Sequence, residues 1–341
     1  MRKFKYFFIY ILPLSAFVAF VSEGLFTFLP FILAFIIVPL LELSIKPDHS
    51  NLSKLEADIA KHSFHYRAIV YSMVPIQVGL LVLFLTTATN YFSTLEIAGR
   101  ISSMGILCGI IGINVGHELG HNDSRLNQFL GELLLLTSLE THFLIYHNYG
   151  HHVEVATPND PATARRDEWL YTFWFRSQIG SYSKAWQLQK KKLIIQKKAF
   201  ISLENKMLWY TVSQLILCIV IFSTLGISIL LQFIIAAIVG ILLLETVNYI
   251  EHYGLLRKRK KSGRYELVNP THSWNSNHIV GRILLFELSR HSDHHHRANK
   301  PYQILNSHKD SPQMVTGYPG MMFLALFPVI WIRVMNKKLP Q

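Results

Sequence analysis

Nine of the 17 histidines in this chain fall into four short clusters. The clusters are His117–His121 (HELGH), His147–His152 (HNYGHH), the single His252 within NYIEHYG, and His291–His295 (HSDHH). Histidines four residues apart lie on one face of a helix and can present two imidazoles to one ligand. Imidazole nitrogen binds iron, zinc, copper and nickel. The clusters therefore predict a metal site with the candidate ligands His117, His121, His147, His151, His152, His252, His291, His294 and His295.

The number of candidate ligands favours two metals, because nine imidazoles exceed the needs of one ion. One alternative is an intramembrane zinc protease, since His117–His121 also matches H-E-x-x-H, in which Glu118 would be the base. That enzyme would leave most of the clustered histidines without a role. A metal transporter is another alternative, but its ligands should line a path through the membrane rather than gather at one face.

Long apolar runs must position these clusters. Half of the 341 residues are hydrophobic and the mean hydropathy is positive, which is typical of a membrane protein. A run of about 20 apolar residues crosses a bilayer core of about 30 Å. The sequence therefore predicts a single-domain, all-α integral membrane protein with six transmembrane helices, at about 5–22, 25–43, 67–88, 95–116, 207–225 and 227–251.

The distribution of charge predicts which ends of these helices face the cytoplasm. The net charge is +12, and the connections near 22–24, 89–95 and 223–226 contain no Lys or Arg. Basic residues are concentrated in the opposite connections, so the positive-inside rule places those connections in the cytoplasm. Membrane topology thus explains the positive charge, and a nucleic-acid partner is not needed to explain it. The histidine clusters then share the cytoplasmic face, in a cap of residues about 117–205 and 253–341. The segment 126–146 is not expected to cross, because a crossing would separate His117 from His147.

The two cysteines, Cys108 and Cys218, both lie inside apolar runs. Neither a disulfide framework nor a C-x-x-C metal motif is available. Electrons for a redox reaction would therefore have to come from another protein.

The order of the motifs resembles the AlkB family of alkane monooxygenases. Residues from about 114 to 305 carry the resemblance, with NYIEHYGL at 248–255 and HSWNSNH at 272–278 in addition to the histidine clusters. Membrane desaturases and fatty-acid hydroxylases share the histidine spacing but not these two segments. The chain departs from the family at Tyr146, where a glutamate is usual, and at His296, which extends the last cluster.

The resemblance implies a non-haem di-iron enzyme of the bacterial inner membrane that uses O2 to convert medium- or long-chain alkanes to 1-alkanols. The nine clustered histidines would hold two irons. Electrons would come from rubredoxin, itself reduced by an NAD(P)H-dependent rubredoxin reductase. A related enzyme acting on xylene, a fatty acid or another lipid is the alternative. A redox-active metal suits this chemistry because a terminal C–H bond is strong and zinc has no redox chemistry.

Polar groups next to the histidines should orient the imidazoles. Glu245 and Asn248 lie on the same face of the sixth span as His252, and a carboxylate inside a span is costly and usually functional. We expect Glu245, Asn248 and Asp293 to support the iron ligands. Glu118 and Glu251 could do the same, or could cap helices or meet solvent, and His272 and His278 are expected to be structural.

Overall fold

The computed structural model describes residues 2–88 and 92–340, so residues 89–91 of the connection at 89–95 lie outside it. Over these two ranges the chain is helical and has no strand. Two isolated β-bridges, Arg259 with Tyr265 and Asn275 with Gln313, are the extended pairings that occur there. The prediction of an all-α protein is confirmed.

Six helices in the described ranges are long and apolar enough to cross a membrane, as the sequence predicts. They are Phe4–Val21, Gly24–Ser44, Phe64–Thr87, Thr94–Gly120, Lys206–Leu225 and Ile227–His252. The chain is therefore a multi-pass membrane protein. We number these helices first to sixth in chain order.

Local sequence signals set the ends of these helices. Ser93 caps the start of the fourth helix: its hydroxyl accepts from the backbone N–H of Glu96, whose carboxylate accepts from the N–H of Ser93 in return. Gly226 ends the fifth helix at φ +84°, a conformation that glycine adopts at little cost. The sixth helix begins at the next residue, Ile227, so a single glycine makes this turn.

The chain divides into two compact units, and the first comprises Met1–Ile36, His65–Ile145 and Ala185–Leu243. In this unit the fourth membrane helix packs closely on the helix Arg125–Leu136. A Cβ at Gly131 would lie 2.8 Å from the carbonyl oxygen of Gly116, so the two backbones meet where both residues are glycine. The 12 residues of Arg125–Leu136 extend for about 18 Å at 1.5 Å per residue, which is too short to span the bilayer core.

The second unit comprises Ile37–Phe64, Tyr146–Lys184 and Leu244–Gln341. Buried charges hold its loops together. The Arg282 guanidinium meets the Glu287 carboxylate at 2.6 Å, and both side chains are almost fully buried. Arg290 donates to the backbone carbonyls of Leu305 at 2.6 Å and Ser50 at 2.8 Å. Such groups are tolerated in an interior because each buried charge is paired and hydrogen-bonded. The prediction of a single domain remains a prediction.

Candidate metal centre

Four of the clustered histidines form a compact group inside the second unit. They are His151, His252, His291 and His295, all buried, and each offers one ring nitrogen within 4.8 Å of the others. His252 ends the sixth membrane helix. His291 and His295 lie four residues apart on the short helix His291–His296, so both imidazoles point from one face of it.

The second cluster is wound as a π-helix over His147–His151, which changes the pairing that its spacing suggests. A π-helix is wound more widely than an α-helix, with backbone hydrogen bonds between residues five apart rather than four. His147 accordingly meets His152, with their Nε2 atoms 2.9 Å apart, while His151 belongs to the group of four described above. Although they are four residues apart, His147 and His151 therefore belong to different groups.

His294 joins His147 and His152 in another group of the second unit, with ligand atoms again within 4.8 Å. Its ring centroid lies 4.8 Å from that of His152. His294 thus presents its nitrogen to a different group from His291 and His295, although its ring lies 5.5 Å from that of His291. Histidines that are neighbours in the sequence are therefore divided between two groups. Together the two groups place seven of the nine predicted ligands in the second unit.

The remaining two predicted ligands lie in the first unit. His117 and His121 stand at the end of the fourth membrane helix, and their Nε2 atoms are 2.9 Å apart. This is the juxtaposition that the i,i+4 spacing predicts. The ring of His117 also packs edge-on against Phe143, with centroids 5.9 Å apart.

The nitrogen geometry fits metal ligation. Two imidazole nitrogens at right angles on one ion, each with a bond of about 2.1 Å, lie about 3.0 Å apart. His117 with His121, His147 with His152, and His252 with His291 show 2.9, 2.9 and 3.2 Å. A donor set made of imidazoles suits iron, copper, zinc or nickel rather than magnesium or calcium.

The hydrogen bonding of two histidines supports the same conclusion. Among the described residues, neither ring nitrogen of His295 has a hydrogen-bond partner, and Nε2 of His151 has none either. Leaving such atoms buried and unpaired is costly. Burial, followed by the neighbouring imidazoles, holds the pKa of His295 well below its usual value, which leaves a neutral ring whose lone pair is free for a metal.

Asp160 orients His151. The Nδ1–H of His151 donates to Asp160 at 2.9 Å, which directs Nε2 of the same ring into the group of four. Thr163 donates to the same carboxylate at 2.6 Å, and the Tyr146 hydroxyl donates to it as well. Burial by itself would raise the pKa of Asp160, but the adjacent His151 and these hydrogen bonds outweigh it and lower the pKa to about 2.

Asp160 is not among the residues that the sequence singled out. The available signal was an aspartate eight residues after the end of the second histidine cluster. Tyr146 also contacts this aspartate. Its hydroxyl bridges Asp160 and the backbone N–H of Ala162, at 2.9 Å from the latter, so this departure from the family pattern is built into the network around His151.

Glu251 lies beside the nitrogen of His291 that also faces His252. Its Oε2 lies 3.1 Å from His291 Nε2, and its Oε1 accepts from the Tyr318 hydroxyl at 2.7 Å. The backbone carbonyl of Glu251 accepts from the N–H of Trp274 at 2.8 Å. The segment at 272–278 is thereby attached to the residue that precedes His252.

Glu245, Asn248 and Asp293, the residues predicted to support the ligands, make contacts of two kinds. Asn248 donates to Glu245 at 3.3 Å, and both are buried in the sixth helix. Asp293 accepts from Lys300 at 2.5 Å and from His308 at 2.7 Å, so it attaches the 300–308 loop to the helix that carries three candidate ligands. Their role in supporting iron ligands remains a prediction.

His272 and His278 make local contacts of the kind expected of structural residues. His272 Nε2 lies 3.2 Å from the Glu266 carboxylate, and its Nδ1 accepts from the N–H of Asn269. His278 Nδ1 lies 3.0 Å from the hydroxyl of Ser276.

Comparison with known proteins identifies the family of this chain. The fatty acid desaturase family matches residues 97–325. Alkane 1-monooxygenase 1 of Alcanivorax borkumensis is 38% identical over 87% of this chain and 73% of its own length. Alkane 1-monooxygenase 2 of the same organism is 36% identical over 99% of this chain and 91% of its own length. The xylene/toluene monooxygenase hydroxylase component of Pseudomonas putida is 27% identical over 78% and 72% of the two chains.

The chain therefore belongs to the fatty acid desaturase family and, within it, to the alkane 1-monooxygenases.

Proposed function

We propose that this protein hydroxylates the terminal methyl group of medium- or long-chain n-alkanes. The reaction consumes O2, two electrons and two protons, and yields a 1-alkanol and water. The observation that carries the proposal is the group formed by His151, His252, His291 and His295, whose buried nitrogens converge as metal ligands would. The alkane 1-monooxygenases that share most of this chain supply the substrate class.

The nine clustered histidines hold two irons in this proposal. Iron, when bound, supplies the redox chemistry that activates O2, which zinc lacks. The contribution of the chain is to hold the imidazoles in place: Asp160 fixes the ring of His151 through Nδ1, and Glu251 lies beside Nε2 of His291. Burial of all four histidines in this group also keeps bulk water away from the reacting atoms.

The protein lies in the bacterial inner membrane with the histidines at its cytoplasmic face. Its substrate dissolves in the hydrocarbon core, so an active site at the inner ends of the membrane helices receives the alkane from the bilayer.

A Gln128→Cys variant should resist an impermeant thiol reagent added from the periplasm. A Ser223→Cys variant, in the connection without Lys or Arg, should react. Labelling of Gln128→Cys from the periplasm would overturn the topology.

Electrons come from rubredoxin, which docks on the basic residues at 257–261. Arg257 donates to the carbonyl of Val153 at 2.8 Å and helps to hold the fold, whereas Lys258, Lys260 and Lys261 are exposed. Opposite charges raise the rate of encounter, and salt screens them over about 10 Å at 0.1 M. Changing the three lysines to Glu should therefore raise KM for rubredoxin and flatten its dependence on salt. An unchanged KM would place the docking surface elsewhere.

Metal and product analysis test the central proposal. Purified protein should contain two irons, and with a rubredoxin system it should convert octane or hexadecane to the 1-alkanol. His252→Ala should abolish the product while the protein still inserts and folds. His62→Ala is the matched control, because His62 is exposed and pairs with Asp58. One zinc and no iron would instead support a protease built on His117–His121.

A methyl group on an aromatic ring is the second candidate substrate. The similarity to the xylene/toluene monooxygenase component supports it, at lower identity than the alkane enzymes. Competition between octane and p-xylene in one reaction distinguishes the two. Preferential formation of the benzylic alcohol would identify the aromatic compound as the substrate.

A further inference from the structure

An open groove of about 570 Å³ lies in the first unit, at the end of the helix Leu170–Ile195. Its walls are Trp186, Leu193, Ile194 and Phe200, and Lys190 and Lys198 are also part of its lining. The groove thus combines an apolar wall with two ammonium groups. None of these residues belongs to the histidine groups.

The groove is built by specific contacts rather than by loose side chains. The rings of Trp186 and Phe200 lie together, with centroids 5.7 Å apart. Gln189 donates to the backbone carbonyl of Glu204 at 2.9 Å, and Asn205 donates to that of Phe200 at 2.8 Å. The first bond holds the segment that follows the helix against the helix, and the second joins two residues within that segment.

The end of the helix fixes the position of the second lysine. The N–H of Lys198 bonds to the carbonyl of Leu193 at 2.9 Å, and the N–H of Lys197 bonds to that of Ile194 at 3.1 Å. This is the Schellman pattern, in which the residue of positive φ is usually glycine. Here that residue is Lys197, at φ +55°. The turn presents Lys197 and Lys198 next to the groove.

The surroundings of the groove are apolar and exposed. Ile195, Ile201 and Leu203 have 72%, 84% and 78% of their surface accessible. Apolar area left in water costs about 25 cal/mol per Å², so such a surface favours contact with lipid. The fifth membrane helix begins at Lys206, just after this segment, which places the groove where the chain enters the bilayer.

A tryptophan at the start of the fifth helix marks the same boundary. Trp209 is half exposed, and its indole N–H donates to the carbonyl of Leu203 at 2.9 Å. Tryptophan is enriched where membrane helices pass from the headgroups into the hydrocarbon. The groove therefore opens at headgroup depth.

We propose that this groove binds one anionic phospholipid. Its acyl chain lies against the Trp186–Phe200 wall, and its phosphate contacts the ammonium groups of Lys190 and Lys198. Two features select this occupant: exposed apolar residues lead from the groove to the fifth membrane helix, and lysines at 190, 191, 192, 197 and 198 match its charge. Lys198 also pairs with Glu204 at 2.9 Å, and the phosphate joins or replaces this partner.

Native mass spectrometry of the full chain in detergent tests the proposal, with dioleoylphosphatidylglycerol and dioleoylphosphatidylcholine as probes. We expect one phosphatidylglycerol to be retained in preference to phosphatidylcholine. The double variant Lys190→Gln, Lys198→Gln should weaken its binding about 30-fold, the equivalent of about 1 kcal/mol per lysine near an anionic headgroup. Lys54→Gln, Lys61→Gln is the matched control, since both lysines are exposed on another helix.

Further variants separate the chain-binding wall from the charge. Phe200→Ser should weaken both lipids, because it removes the wall rather than the ammonium groups, and the iron content should not change in any variant. Inorganic phosphate at millimolar concentration should not displace phosphatidylglycerol, whereas displacement would identify a simple anion site.

Three results would overturn the proposal. One is equal affinity of the parent protein for the two lipids. Another is an equal loss of phosphatidylglycerol binding in the control double variant. The third is unchanged lipid binding in Lys190→Gln, Lys198→Gln together with a higher KM for rubredoxin, which would assign the groove to the electron carrier.

Discussion

Replacing Asp160 by asparagine tests the network that orients His151. Asp160 is only 2% exposed, and its carboxylate accepts hydrogen bonds from four donors. His151 and Thr163 donate to Oδ2, whereas the hydroxyl of Tyr146 and the N–H of Ala162 donate to Oδ1. Asparagine has the same size, but one of its two terminal groups is a donor.

The geometry sets the expected cost. In either orientation, the amide nitrogen of asparagine faces two donors that Asp160 previously satisfied. A buried donor left without an acceptor costs about 1–3 kcal/mol, and a hydrogen bond to a charged group contributes about 1.5–3 kcal/mol. We therefore expect Asp160→Asn to lower the free energy of unfolding by about 2–4 kcal/mol.

The effect on metal should be larger than that of an ordinary destabilising change. If asparagine turns its amide toward His151, Nδ1 no longer has an acceptor, and the ring is free to rotate. Losing the partner that orients a metal-binding histidine typically costs 10–100-fold in metal affinity or activity. We expect a reduction of about that size in iron affinity.

The assay measures iron content after dialysis against a graded series of chelator concentrations, together with the thermal unfolding midpoint. Asp310→Asn is the control, because Asp310 is exposed. Tyr146→Phe should give an intermediate result, since Asp160 keeps its other donors and only one hydroxyl is lost. Parental iron affinity in Asp160→Asn would refute the reasoning, even if the midpoint fell.

Two other predictions concern packing and buried charge. Gly131→Ala should destabilise the protein by about 1–3 kcal/mol, because the new Cβ would lie 2.8 Å from the carbonyl oxygen of Gly116. Gly79→Ala, with nothing within 4 Å, is its control, and equal midpoints in the two thermal scans would contradict the prediction. Glu287→Gln should cost about 3 kcal/mol, because buried Arg282 would be left with the Asp48 carboxylate at 3.7 Å in place of the Glu287 carboxylate at 2.6 Å. A loss below about 1 kcal/mol in chemical unfolding would show that water or another group compensates for it.

Much of the architecture followed from the sequence. An apolar run of about 20 residues is long enough to span the bilayer core. In lipid it forms a helix because its backbone groups must bond to one another. Helical spacing made the pairing of His117 with His121 predictable, since the helix Gly116–Gly120 places its C-cap His121 one turn after His117. The motifs at 248–255 and 272–278 also indicate the family without reference to the geometry.

The supporting carboxylates were not predictable in the same way. Asp160 lies in a loop, and nothing in its local sequence says which imidazole it meets. Glu245 shares a helix face with His252, yet the hydrogen bond from Asn248 to Glu245 links two residues of that same face. Sequence spacing gives the face of an element, whereas the partner across a loop depends on how the whole chain folds.

The sequence by itself determined which residue types are available for the metal centre and the apolar helices that carry some of them. Only the tertiary structure decided how the histidines are grouped. His147 meets His152 rather than His151 because the second cluster is wound as a π-helix, and the helix His291–His296 sends His294 to a different group from His291 and His295. The physical reason is that winding and helix orientation set the direction of an imidazole, and both depend on packing against residues distant in the chain.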